Sequence, residues 1–280
     1  MKVTADINEV RRIRWQKPSA SWGLVPTMGF LHEGHLSLVR RARSDNEFTA
    51  VTIYVNPTQF APTEDLSTYP RNLEGDLAKL KAEGVDLVFT PTDKTMYPPE
   101  FQTAVTVTHV TKSLEGVSRP SHFQGVATIV TKLFNIMQPT RAYFGQKDAQ
   151  QTVVLKQMVR DLNFNLEMIV CPIVREQDGL ALSSRNAYLS AEERQAATVL
   201  FRALTAVEAA YNNGERDGRV LRQQMEDIIS QEATARIDYV SVANPLTLLE
   251  LDKIKGSVLF SLAVFFGKTR LIDNILIEGN

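Results

Sequence analysis

The stretch Gly23-Leu24-Val25-Pro26-Thr27-Met28-Gly29-Phe30-Leu31-His32-Glu33-Gly34-His35 joins two kinds of pattern. Leu24 and Val25 end a buried apolar run, and Pro26, which has no N–H to give a sheet ladder, reads as its stop. After Gly34 the spacing becomes helical, with Leu36, Leu38 and Val39 interleaved with Arg40, Arg41 and Arg43. The stretch is therefore a strand leading into a helix, and His32 and His35 stand at the helix N-terminus. The first amides of a helix lack intrahelical partners and the dipole is positive there, so the position favours an anion, phosphate above all. Gly29 and Gly34 leave room for a ligand to approach the backbone. Two imidazoles at this spacing lie on one side of a turn, where their N–H groups can hold oxygens that gain charge in phosphoryl or nucleotidyl transfer. A solvated turn or a metal pair are the other readings. No Cys or further His lies nearby to complete a metal set, which weighs against the second.

Outward from this stretch the alternation of strand and helix continues. A helix is expected over 6–17 and a strand over 48–55, where Val51, Thr52, Ile53, Tyr54 and Val55 are nearly unbroken in apolar or β-branched character, as in a parallel strand covered on both faces. A helix over 72–82 and a strand over 85–90 follow. Strands at 105–110 and 142–144 and helices over 126–137 and 149–162 continue the pattern. The fold class expected is α/β, a Rossmann-like doubly wound parallel sheet, and such sheets bind ligands beyond the carboxyl ends of their strands. Near Ser190 the style changes. Ser190-Ala191-Glu192-Glu193 is a capping-box sequence opening a long helix to about Tyr211; a helix over 220–229 and strands at 237–242, 258–266 and 271–277 come after it. Helices followed by consecutive strands describe a smaller C-terminal α+β domain. The expected domains are 1–176 and 177–280, the second acting as a lid.

With 280 residues and 44% hydrophobic side chains the chain can bury a substantial core. Its 31 basic and 32 acidic residues nearly cancel, so no global field draws it to nucleic acid or an anionic membrane. The N-terminal residues do not read as a signal peptide and no apolar run approaches ~20 residues, so the expected location is cytoplasmic. Cys171, the single cysteine, reads as part of a buried strand rather than as a reactive thiol.

Four further segments carry candidate chemistry. Val55-Asn56-Pro57-Thr58-Gln59-Phe60 follows a strand, and a neutral amide at Asn56 or Gln59 can grip a substrate carboxylate or hydroxyl; an ordinary loop is the alternative. Phe144-Gly145-Gln146-Lys147-Asp148 ends a strand and opens a helix, which sets a lysine where phosphate would bind, although an exposed turn would look the same. The segment from Arg175 to Asn186 holds Ser183, Ser184 and Arg185, whose hydroxyls and guanidinium suit triphosphate oxygens in a mobile flap; a plain linker is the alternative. His122, in Arg119-Pro120-Ser121-His122-Phe123-Gln124-Gly125-Val126, reads as structural more readily than as a third catalytic imidazole.

His32-Glu33-Gly34-His35 resembles the His-x-Gly-His element of the nucleotidylyltransferase superfamily, and the longer string from Pro26 to His35 resembles that of the pantothenate synthetases. The similarity extends through Tyr69-Pro70-Arg71 and the Arg119 segment to Arg270-Leu271-Ile272-Asp273-Asn274. The resemblance implies an ATP-dependent condensation of pantoate with β-alanine through pantoyl adenylate. It implies catalytic roles for His35, His32, Lys147 and Arg185. ATP contacts carry over to Met28, Gly29, Phe30, Leu31, His32, Glu33, Gly34, His35, Gly145, Gln146, Lys147, Asp148, Val174, Leu182, Ser183, Ser184 and Arg185, and pantoate or β-alanine contacts to Gln59, Gln151, Asn56 and Met28. The family's Gly-Glu-Lys-Asp string has Gln146 here in place of Glu, and Ala149 replaces an aromatic. ATP is expected as substrate and Mg2+ with it, the metal's protein ligands being unknown, together with a homodimer, small-molecule substrates only, and no nucleic acid or membrane partner. Another nucleotidylyltransferase and a non-catalytic ATP sensor are the alternatives.

Overall fold

In the computed structural model, which describes residues 1–62 and 64–279 and leaves Thr63 and Asn280 outside that description, Met1–Gly145 with Val154–Pro172 form one unit and Gln146–Val153 with Ile173–Asn280 another. The first unit contains β1 Lys2–Thr4, α1 Ile7–Trp15, β2 Trp22–Thr27, α2 Glu33–Asp45, β3 Phe48–Ile53, α3 Leu73–Ala82, β4 Leu87–Phe89, α4 Asp93–Met96, α5 Glu115–Ser118, α6 His122–Met137, β5 Arg141–Gly145, most of α7 Ala149–Asp161, and β6 Glu167–Cys171. Its sheet has the order β1-β4-β3-β2-β5-β6 with every pair parallel. Successive side chains of a strand point to opposite faces: Leu24, Ala50, Leu87 and Phe89 pack with α6 residues such as Val130 and Phe134, whereas Val25, Val51 and Val88 pack with Leu38, Val39 and Ala42 of α2. Both faces are covered, which is why these strands read as continuous apolar runs.

The strand order reverses at β2, with β3 and β4 to one side and β5 and β6 to the other. That is the switch point where doubly wound sheets take ligands. Pro26 does not stop β2, as the sequence reading has it. The strand runs on to Thr27 in register with β3, while pairing with β5 ends at Leu24 and Ala142, so the missing N–H of Pro26 falls beyond the β5 ladder. The expected strand at 105–110 is absent: Val105 N donates to Thr128 Oγ1 of α6 at 2.9 Å, and Val105 and Val107 pack against the core without a sheet partner. The short edge strand β1 carries no pattern long enough to read. Cys171 is buried in β6, and burial pushes its thiol up.

The second unit holds α8 Ala191–Ala196, α9 Val199–Asn212 and α10 Gly218–Ile229, then β7 Ala235–Ala243, β8 Val258–Phe266 and β9 Thr269–Ile277 in an antiparallel sheet. Leu200, Leu204 and Val207 of α9 and Leu221, Met225 and Ile229 of α10 pack with Val242, Phe260, Leu262 and Val264. Ser190 and Glu193 do form the capping box, but the expected long helix is two: the Thr198 hydroxyl donates to Gln195 O at 2.8 Å between α8 and α9. The division between the units also differs from one cut at 176/177, because Gln146–Val153 belongs with the later residues. Its first turn is hydrogen-bonded to β9.

Candidate active site

Beyond β2 the chain turns through Gly29 at φ +86° and Phe30 at φ +52° before entering α2. A positive φ costs a non-glycine residue roughly 1–2 kcal/mol, so something must hold Phe30 there. Asp76 of α3 does so: its buried carboxylate accepts from Phe30 N and from Leu31 N, both at 2.7 Å, and Lys79 Nζ, one helical turn on, donates to Leu31 O at 2.5 Å. Gly29 N donates to Thr27 Oγ1 at 3.2 Å, and a Cβ at Gly29 would lie 3.0 Å from Ile53 and 3.1 Å from Asp76. Met28, Gly29 and Phe30, with Tyr54, Phe60 and Arg71, wall a cavity of about 730 Å³.

His32 is the N-cap of α2 and His35 lies in its first turn, with ring centroids 4.1 Å apart. His35 Nδ1 accepts from His32 N at 3.4 Å, which in the neutral ring puts the proton on Nε2 and makes that atom the donor. Glu33 is turned onto Arg40, which also binds Glu83 at 2.9 Å, and this pairing draws the Glu33 carboxyl below the usual range.

Asn56 and Gln59 are both buried after β3. Asn56 Nδ2 donates to Gln59 Oε1 at 3.0 Å and to Gly125 O at 3.2 Å, while Tyr97 OH donates to Asn56 Oδ1 at 2.8 Å. Gln59 Nε2 lies 3.3 Å from Met28 Sδ, so two of the expected substrate ligands meet. The Gln59 carbonyl is 2.9 Å from His122 Nδ1, and Arg119 reaches His122 Nε2 at 3.3 Å and pairs with Glu64 at 2.7 Å. His122 thus donates to Gln59 from Nδ1 and accepts from Arg119 at Nε2 as a neutral ring. It is a scaffold residue, as its sequence context favours. At Gly125 a Cβ would come within 2.4 Å of Thr58 O and 2.6 Å of Gln59 N, which lets α6 lie directly on this turn.

Burial, reinforced by the Arg119 charge, lowers His122 from its ordinary 6.5 to about 4, against the opposing bond to Gln59 and the Glu115 and Glu64 charges. Between those values the unfolded chain takes up the proton first, so stability is full above pH 6.5 and is lost as the pH falls toward 4. The expected loss is about 3 kcal/mol. Urea unfolding at pH 7 and pH 4 should show it, and His122→Asn should flatten the difference; an unchanged pH slope in that variant would rule His122 out as its source.

In the second unit the turn Gln146–Asp148 opens α7. Gln146 Nε2 donates to Asn274 Oδ1 at 3.0 Å, and Asn274 Nδ2 donates to Gln146 O at 3.0 Å and Lys147 O at 2.9 Å. The amide that replaces the family's Glu is thus used in holding the turn. Ala149 is buried, and nothing lies within 4 Å of a Cβ built at Gly145 in the first unit. The segment after Ile173 folds back on itself: Leu182 N donates to Val174 O at 3.0 Å and Glu176 N to Leu180 O at 2.8 Å, with Gly179 at φ +92° in the bend. Val174 and Leu182 are thereby brought opposite each other. Ser183 Oγ accepts from Arg185 N at 3.2 Å to start the turn that carries Ser184 and Arg185. Among the described residues no cluster of three or more His, Cys, Asp or Glu has the makings of a metal site.

Sequence reasoning missed Asp76 and Lys79, which shape the turn before the histidines, and assigned no role to Arg175, Asp273 and Asn274 of the second unit, although they stand in segments it singled out. Asp76 acts across 46 positions and Asn274 across 128, distances at which no local pattern speaks.

A family profile described as Pantoate-beta-alanine ligase matches residues 2–276. The chain is 59% identical over 279 residues to a protein of Roseiflexus castenholzii named Pantothenate synthetase, with the whole of both chains covered. Its fold is similar to the crystal structure of pantothenate synthetase from Thermus thermophilus, at 46% identity and TM-score 0.94 over 98% of this chain and 99% of that one. It is also similar to the pantoate-beta-alanine ligase of Francisella tularensis, solved in complex with beta-gamma ATP and beta-alanine, at 34% identity and TM-score 0.81 over 99% and 97% of the two chains.

Proposed function

The chain belongs to the pantoate-beta-alanine ligase family, and from that membership we propose how its own residues carry the reaction. It is an ATP-dependent ligase that condenses pantoate with β-alanine to give pantothenate, AMP and pyrophosphate through pantoyl adenylate. In the first half, a pantoate carboxylate oxygen attacks the α-phosphorus and the bond to the β-phosphate oxygen breaks. In the second, the β-alanine amine attacks the acyl carbon, AMP leaves with the carboxyl oxygen, and the amine gives up a proton. The carboxylate is already a nucleophile, so the first step asks chiefly for orientation and neutralisation of charge.

His35 and His32 hold α-phosphate oxygens, and Lys147 and Arg185 neutralise charge on the phosphates. The backbone from Met28 to Gly34 and residues Gly145, Gln146, Asp148, Val174, Leu182, Ser183 and Ser184 surround ATP; Gln59, Asn56, Gln151 and Met28 take pantoate or β-alanine. What carries this reading is the pair of imidazoles at the N-terminus of α2, with His35 Nε2 as donor. The polar chain Tyr97–Asn56–Gln59 that ends at Met28 supports the assignment of pantoate. The test is pyrophosphate release from ATP, run with and without pantoate and then with β-alanine, on the native chain and on Gln59→Ala. Release should need pantoate, and pantothenate and AMP should appear on adding β-alanine. Gln59→Ala should raise the pantoate KM about tenfold or more, with a smaller change in kcat; an unaltered pantoate dependence would remove Gln59 from the site.

Among the described residues no group of three or more His, Cys, Asp or Glu could hold a metal ion, and Asp76 is already committed to backbone amides. Magnesium would be held by the phosphate oxygens of ATP and by water. A homodimer and a cytoplasmic location complete the reading by family resemblance; no helix among the described residues is long and apolar enough to cross a membrane.

A further inference from the structure

Neighbouring residues of a strand face opposite sides, and in β9 this sends two polar side chains to two different segments of the second unit. On the side of Leu271 and Ile275, which pack in the apolar core, Asp273 is 2% exposed and binds Arg175 through both oxygens, at 2.6 and 2.9 Å. Arg175 in turn donates to Gly179 O at 3.1 Å and lies over the Phe201 ring, 4.6 Å from its centroid. The same Phe201 closes on Gly179, where a Cβ would lie only 1.9 Å from the ring. The base and the bend of the folded-back segment that leads to Ser183, Ser184 and Arg185 are therefore fixed from one carboxylate. On the other side of the strand, Asn274 is 1% exposed and spends both amide hydrogens on the carbonyls of Gln146 and Lys147. Its oxygen takes the Gln146 amide. No other side chain of the same length both donates two hydrogens and accepts one at these positions.

We propose that Asp273 and Asn274 are the positioning residues of the phosphate-binding half of the site: Asn274 sets the backbone of Lys147, and Asp273, through Arg175, sets the segment that carries Arg185. This rests on the reading of Lys147 and Arg185 as phosphate cations. One strand thus indexes both cations, and a shift in β9 moves them together. Both side chains are buried and bonded to protein groups. Their effect is to hold the cations where charge develops, a placement in which an error of about 1 Å can cost about 10²-fold in rate.

The experiment is a pair of double-mutant cycles on pyrophosphate release, with the thermal midpoint recorded for each variant. Asn274→Asp keeps the shape but cannot donate to the two carbonyls; Asn274→Ser serves if the added charge prevents folding. In the folded variant kcat should fall about 30–100-fold while the pantoate KM changes little. The same substitution in a Lys147→Ala background should add less than about threefold, because the group being positioned is gone. Asp273→Asn paired with Arg185→Ala should behave likewise. Losses that multiply in both cycles would show a merely structural role and overturn the proposal. So would a folded Asn274 variant with kcat within about threefold of the native chain. If Lys147→Ala and Arg185→Ala themselves leave the rate intact, the phosphate reading fails first and the positioning role with it.

Discussion

His35→Ala is expected to slow pyrophosphate release from ATP and pantoate by about 10²–10³-fold, the cost of removing one donor from a preorganised site for developing negative charge. His32→Ala should cost less. The two rings are 4.1 Å apart, but they differ in station. His32 is the N-cap, at φ −125° and ψ 176°, outside the helical turn, whereas His35 is inside it and its Nδ1 is engaged by His32 N at 3.4 Å. That engagement fixes which nitrogen of His35 donates, so the ring meets an oxygen without first choosing a tautomer. His32→Ala keeps the backbone N–H that does this. Single-turnover adenylation measured for both variants decides the ranking: equal losses would give the two imidazoles equal shares, and a loss below tenfold for His35→Ala would take the ring out of transition-state stabilisation.

Asp76→Ala is expected to cost about 2–4 kcal/mol of stability, since it leaves the buried Leu31 N–H and the partly buried Phe30 N–H without their carboxylate acceptor, and to depress adenylation as severely as losing a histidine. The carboxylate takes both bonds at 2.7 Å and is 1% exposed, so water has little access to replace it. Without it Phe30 loses the bond that holds its N–H at φ +52°, and the turn that delivers His32 and His35 to the helix start is expected to relax. Asp76→Asn, able to accept one bond in place of two, should fall between. Urea unfolding gives the stability and adenylation the function; a stable Asp76→Ala protein with normal rates would show that the turn holds itself.

The chain's apolar runs were enough to read most strands of the first unit, because Leu24 and Val25, Ala50 and Val51, and Leu87 and Val88 each send neighbours to opposite covered faces. The same rule misled at 105–110, where Val105 finds its hydrogen bond on Thr128 of α6 and not on a strand. It also misled at Pro26, whose lack of an N–H matters only on the side where a neighbour is paired. The break after Ala196 was hidden for a related reason: Thr198 competes for a carbonyl in a way that its helical neighbours do not announce.

Local order along the chain determined the identity and approximate place of the reactive groups: the histidines at a strand-to-helix junction, Lys147 at a second one, Gln59 after a third strand end, and the serines beside Arg185. These are short-range facts, set by where apolar periodicity changes and where glycine and proline interrupt it. Tertiary structure alone decided what holds them. The Phe30 and Leu31 amides find Asp76, the Gln59 carbonyl finds His122, and the Lys147 turn finds Asn274, each from a distant part of the chain. A buried polar group must be paired wherever a partner can be brought, and which partner is brought depends on strand order and helix packing, quantities that exist only once the chain has folded.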